Sequence, residues 1–241
     1  MKLFKLDEKG CFIVLEFVTK LASIILFDIV LSGDNAVVIA LATRGLEESK
    51  RKKAIMIGTA GAIILRVILM LIAVQLLMLP YVKIIGSLLL LYIAYDLLKT
   101  DTTEETHETK TNGSYFSAIR TILIADLVMS LDNVLAIAGT ADGHFGLAVL
   151  GLAVSIPIII FGSQVIIKLM DKFPLLIWVG AIMIAYTAGK MFVEDHAIAN
   201  FIDGLVANLS HTPIVPIIFG VLLVLVKLMM SRFQSTRSLN S

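Results

Sequence analysis

The chain has 241 residues, 58% hydrophobic and 16% charged, with a formal net charge of +1 and a mean hydropathy of +0.95. A soluble domain needs far more charge to cover its surface, so the composition points to a polytopic, all-α membrane protein. The charge sum itself says nothing about partners, because its distribution matters more; no nucleic-acid partner is expected of such a chain. The single cysteine, Cys11, excludes an intrachain disulfide, a CxxC pair and a thiolate metal cluster.

The opening stretch MKLFKLDEKGCF is too charged, and too short before Cys11, to read as a cleaved signal. A crossing helix needs about 20 apolar residues, and the first such run is 21–43. Within it lies DIVLSGDNAVVIA, Asp28 to Ala40, which buries two carboxylates and an asparagine in lipid or protein core. The basic turn RGLEESKRKKA, Arg44 to Ala54, leads to a second span at 54–78, where Arg66 stands as an embedded cation. A third span follows at 80–98. The polar stretch 100–115, with His107 among Glu104, Glu105 and Glu108, reads as a solvated linker.

The fourth span, 117–140, contains DLVMSLDNVLAIA, Asp126 to Ala138. At an offset of 98 it matches the earlier segment at seven of thirteen positions, Asp, Val, Ser, Asp, Asn, Ile and Ala. Spans at 146–169 and 173–192 come next. The latter extends the repeat at an offset of 94, pairing Pro80 with Pro174, Gly86 with Gly180, Tyr92 with Tyr186 and Ala94 with Ala188. The stretch 194–212 places Ile198, Phe201, Ile202, Leu205, Val206 and Leu209 on one helical face, as an amphipathic helix at the membrane surface does. A last span, 213–230, leads into a basic tail.

The predicted architecture is therefore about seven transmembrane helices: a three-span repeat over 1–99, the linker 100–115, a second three-span repeat over 116–193, the interfacial segment 194–212, and a final span with its tail over 213–241. An odd number of spans per unit forces the second repeat to be inverted, a transporter architecture with its site near the midplane. Basic residues cluster at Arg44–Lys53, Lys99, Lys110, Lys168, Lys172 and the C-terminal tail, and thin out on the opposite side, which puts the N-terminus outside. Gly58, Gly61, Gly146 and Gly151 are expected to let helices approach closely. Asp96 and its repeat-equivalent Lys190 read as interfacial. His144, His196 and His211, with Asp142, Asp195 and Asp203, read as loose polarity at the outer surface.

At 100° per residue, Asp28, Ser32 and Asn35 share a face, as do Asp126, Met129, Ser130 and Asn133. Asp34 and Asp132 point about 120° away from their partner aspartates, so either the helices unwind or the carboxylates face different neighbours. Gly33 favours unwinding in the first repeat, and Leu131 gives no such help in the second. Buried charges are costly, and four acids exceed what Arg66, read as the partner of one of them, can neutralise; protons, a cation or both must do the rest. Carboxylates, amide carbonyls and hydroxyls are hard ligands suited to Mg²⁺, Ca²⁺ or Mn²⁺. No histidine or cysteine lies in the predicted spans, which disfavours zinc and copper, and the Met129 thioether tilts the set toward Mn²⁺.

The paired motifs FDIVLSGDNAVVIA and ADLVMSLDNVLAIA, with seven spans and an acidic linker, resemble the TerC family of bacterial integral membrane proteins. The resemblance implies a multi-pass protein of the bacterial plasma membrane, with Asp28, Asp34, Asn35, Asp126, Asp132 and Asn133 handling a cation, supported by Ser32, Ser130, Met129 and Arg66. It implies Mn²⁺ as transported substrate, with no cofactor, and association with secretion machinery or extracytoplasmic metalloenzymes. Tellurite, after which the family is named, is an oxyanion that this acidic site would repel. Two other readings stand beside metal export: an intramembrane aspartyl protease, which has no use for the duplicated Asn, and a membrane scaffold presenting the basic turn and the amphipathic helix. Lacking an ATP-binding motif such as GxxxxGK[ST], an exporter of this sequence would draw on an ion gradient, with proton antiport the expected form.

Overall fold

In the computed structural model, described residues are 8–77, 79–99, 111–141, 144–195, 197–198, 204 and 212–238, without the side chains of 8–13, 73–77, 111–114, 132, 135, 138 and 231–238. The elements are all helical: α1 (Glu8–Leu31), α2 (Gly33–Thr43), α3 (Glu48–Leu77), α4 (Val82–Lys99), α5 (Thr111–Thr140), α6 (Phe145–Lys172), α7 (Leu175–Val193) and α8 (Ile214–Ser238). Among the described residues, three helices are long and apolar enough to cross a membrane, or four if the bent pair α1–α2 forms one span. The seven predicted spans each coincide with a helix or with that pair. α4 is too charged to meet this measure, with Lys83, Asp96 and Lys99 in its 18 residues.

One boundary moves. The predicted linker 100–115 ends early, because α5 is already helical at Thr111; residues 100–110, with His107 and the glutamates, lie outside the described residues. Most of the predicted amphipathic segment, including His196, Asp203 and His211, also lies outside them, as does Asp142.

The first motif breaks its helix and the second does not. α1 ends at Leu31, Ser32 takes φ −103° and ψ 13°, and α2 starts at Gly33 with a 49° bend. Residues 126–138 run on within a continuous α5. Gly33 against Leu131 accounts for the difference: a glycine beside the break adds backbone freedom, and a leucine in a helix interior does not.

Packing follows the repeat. α3 lies along α5 as α6 lies along α1 and α2, and α4 lies along α7. The contacts match at residue level. A Cβ on Gly58 would sit 3.0 Å from Ile122, and one on Gly151 would overlap Ile24, the residue equivalent to Ile122 at the offset of 98. Gly61 similarly admits Leu123. Gly146 does not belong with them: it faces open space, at the start of α6 before the helices converge.

Candidate functional site

Nine of the ten residues singled out by the sequence divide between two places. Asp28 of α1, Asp126 of α5 and Arg66 of α3 converge in the bundle, and all three are buried. Arg66 donates from Nη1 to Asp28 Oδ1 at 2.6 Å, from Nη2 to Asp126 Oδ1 at 2.5 Å and from Nε to Asp126 Oδ2 at 3.2 Å. The two-pronged contact with Asp126 is the strong geometry for a guanidinium and a carboxylate. The sequence reading gave Arg66 one acid; it holds both.

Hydroxyls and an amide complete this cluster. Ser32 Oγ donates to Asp28 at 3.0 Å and Ser130 Oγ to Asp126 at 3.3 Å, one helical turn along in each repeat. Asn35 Nδ2 donates to Asp126 Oδ1 at 3.2 Å, and Ser155 of α6 donates to Asp28 Oδ2. Asp126 thereby accepts four hydrogen bonds, the capacity of a carboxylate. With both acids ionised the cluster carries minus one, and its carboxylate oxygens are already committed.

Asp34, Asn133 and Met129 lie elsewhere. They line a chamber of about 850 Å³ formed by the end of α1, the start of α2, α5 and one face of α7, with Lys83 from the start of α4. Asp34 Oδ1 accepts from its neighbour's backbone, Asn35 N, at 3.0 Å, and Oδ2 accepts a long contact from Thr187 of α7 at 3.4 Å. Asn133 Nδ2 donates to Leu31 O, a carbonyl at the helix break, at 3.2 Å. The side chain of Asp132 lies outside the described residues, and its backbone is within α5. So Asn133 and Met129, expected on one face with Asp126, sit at that face's edge and look into the chamber rather than toward Arg66.

At the far end of the chamber are Lys83, Lys190 and Glu194. Glu194 lies 3.6 Å from the Lys83 ammonium and 3.8 Å from that of Lys190. The next residue, Asp195, is buried and not loose surface polarity. It accepts from the backbone N–H groups of Tyr81, Lys83 and Ile84, capping the start of α4, and from Ala197 N.

The residues of α7 in the chamber, Met183, Tyr186, Thr187 and Met191, were missed as site candidates, as was Ser155. Tyr186 carried a signal, since the repeat pairs it with Tyr92; the methionines look like ordinary apolar filling in sequence. Chemically, the chamber offers the Asp34 carboxylate, an amide, hydroxyls and three thioethers, with the Glu194 carboxylate engaged by the two ammoniums of Lys83 and Lys190. Among the described residues no three His, Cys, Asp or Glu side chains gather in a way that could hold a metal.

The sequence model described as the integral membrane protein TerC family matches residues 14–239. The chain belongs to the TerC family of integral membrane proteins. Among TerC relatives it is similar to membrane protein YjbE of Bacillus subtilis, 43% identical over 86% of this chain and 94% of that one. It also resembles B. subtilis membrane protein YkoY, at 29% identity over 73% of this chain and 62% of the relative. A third TerC-like relative, the inner membrane protein YgdQ of Escherichia coli, is 23% identical over 64% of this chain and 71% of its own. No solved structure matches the chain.

Proposed function

We propose that this TerC protein is a secondary transporter of the bacterial plasma membrane that exports a divalent cation, Mn²⁺, in exchange for protons. The observation carrying this reading is the chamber: Asp34, beside a broken transmembrane helix, faces about 850 Å³ of space together with Asn133, Thr187 and three methionine sulfurs. Broken helices at the interface of repeats are where transporters bind ions. An oxygen set joined by thioethers favours Mn²⁺ over Mg²⁺ and Ca²⁺. The name of the relative YgdQ, an inner membrane protein, supports the location.

Expelling a divalent cation against 100 mV, negative inside, costs about 4.6 kcal/mol. A passive pore would run inward, and the chain has no GxxxxGK[ST] motif for ATP. A carboxylate that takes a proton on releasing the metal supplies the exchange, because metal binding requires the ionised form. Asp34 has that role here; Asp28 and Asp126 hold Arg66. The same pairing disfavours an aspartyl protease, whose two acids must share a proton without a guanidinium between them.

Purified protein in liposomes tests the reading. Imposed pH and potential gradients should drive Mn²⁺ flux, and Asp34→Asn, nearly isosteric but uncharged, should insert normally and lose it. Wild-type flux from a well-folded Asp34→Asn protein would remove Asp34 from the site.

A further inference from the structure

The helices form two bodies. α1, α2, α3, α5 and α6 pack mainly on one another, while α4 packs on α7 and α7 on α8. The second body is closely tied together: Gly189 of α7 lies against Pro216 and Phe219 of α8, and Asp195 fastens the end of α7 to the start of α4. The chamber lies on the seam, with Asp34, Met129 and Asn133 on one wall and Met183, Tyr186 and Thr187 on the other.

Elsewhere the seam closes at two glycines that the repeat pairs, Gly86 and Gly180. A Cβ on Gly180 would come 2.8 Å from Val37 Cγ1, and one on Gly86 would come 3.0 Å from Val128 Cγ1. The two contacts are not equivalent. At the offset of 98, Val37 corresponds to position 135 and Val128 to Val30. Equivalent glycines thus rest seven residues apart on equivalent spans, about 10 Å at 1.5 Å per residue. Between the two resting points on the first span lies the break at Ser32.

We propose that the body of α4, α7 and α8 slides against the rest, with Gly86 and Gly180 as the positioning residues, and that the second end state exchanges the two repeats' contacts. In that state Gly180 rests on Val30 and Gly86 rests at position 135. The present chamber closes, and its counterpart opens on the opposite face around Asp132, Asn35, Tyr92 and Asp96, the equivalents of Asp34, Asn133, Tyr186 and Lys190. This explains why Asp and Asn are duplicated: each pair serves one face. The mouths differ in sign: Asp96 stands at one, and at the other Lys83 and Lys190 outnumber the Glu194 they share. A cation is drawn in past a carboxylate and released past an excess of ammonium, the polarity of an exporter. The movement rests on the transport reading, and it can be tested apart from it.

The test uses the full chain with Cys11→Ser in liposomes. Bridged side chains need Cβ atoms about 3.5–4.5 Å apart, so Val37→Cys with Gly180→Cys should crosslink in the present state. Oxidation should cut Mn²⁺ flux about tenfold or more, because turnover requires the movement, and reduction should restore it. Val30→Cys with Gly180→Cys should crosslink as the second state is visited. Gly220→Cys with Ile182→Cys, joining α8 to α7 within the moving body, where a Cβ on Gly220 would meet only the Ile182 side chain closely, should crosslink without loss of flux. If Gly180→Cys does not fold, Gly86→Cys with Val128→Cys traps the present state, and Gly86→Cys with Leu135→Cys reports the second. Crosslinking is read on a gel, independently of flux. Absence of flux in the wild-type chain sinks the transport reading alone. A second-state pair that never crosslinks, or a trapped seam that transports at the reduced-form rate, overturns the sliding bodies.

Discussion

Arg66 sets the charge at the centre of the bundle. Its three donors fix Asp28 and Asp126 on separate helices, so one side chain joins α1, α3 and α5. Taking charges out of water is costly, and removing one partner of such a cluster leaves the others uncompensated, typically at about 3–5 kcal/mol. Arg66→Met should therefore lower the thermal unfolding midpoint in detergent sharply. Adding Asp28→Asn and Asp126→Asn should recover most of the loss, since the uncompensated charge is then gone. A single Arg66→Met variant as stable as wild type would mean that the cluster contributes nothing to holding the helices together. Sequence spacing already separated Asp34 from Asp28 by helical angle, and that separation is what divides the chamber from the cluster. What spacing could not supply was the reach of Arg66, whose partners lie 38 and 60 residues away along the chain.

At the scale of elements, local chemistry wrote the helix break into Ser32-Gly33, and apolar runs located each of the helices α1 to α8. Contacts between helix ends were not legible in this way. Asp195 stands in a stretch whose pattern suggested a surface helix, yet its carboxylate serves backbone groups more than a hundred residues earlier. Tyr81, one of the donors, holds φ at 69°, a left-handed conformation that costs a non-glycine residue about 1–3 kcal/mol unless its surroundings hold it. Asp195→Ala would leave the first N–H groups of α4 without their acceptor, at about 1–3 kcal/mol. Amide exchange at Tyr81, Lys83 and Ile84 should speed up while exchange within α3 and α5 stays slow. Asp195→Asn, which keeps one acceptor oxygen, should fall between. Unchanged exchange at α4 in the alanine variant would show that the cap is dispensable.

For the whole molecule, the direction of the proposed transport depends on orientation, and orientation is a question of where the basic residues lie. Not every basic residue in the turn after α2 is an unengaged surface charge. Arg51 donates to the carbonyls of Arg44 and Leu46, and Arg44 donates to Leu97 O, so these two also close helix ends. Lys50 and Lys52 pair with Glu47 and Glu48 within the turn. Acidic neighbours weigh little in topology, which follows Lys and Arg near the span ends, so the turn is still predicted to lie in the cytoplasm. That puts the start of α5 and the stretch before it inside, Lys83 and Lys190 outside, and the chamber's mouth on the outer face. Glu105→Cys in a Cys11→Ser chain decides the matter. In intact cells a membrane-impermeant maleimide should leave position 105 unlabelled, and permeabilising the cells should make it reactive. Cysteine restored at position 11, on the other side of the first span, should label from outside. If position 105 reacts readily in intact cells, the acidic and basic mouths change places, and the same charge asymmetry argues for uptake instead of export.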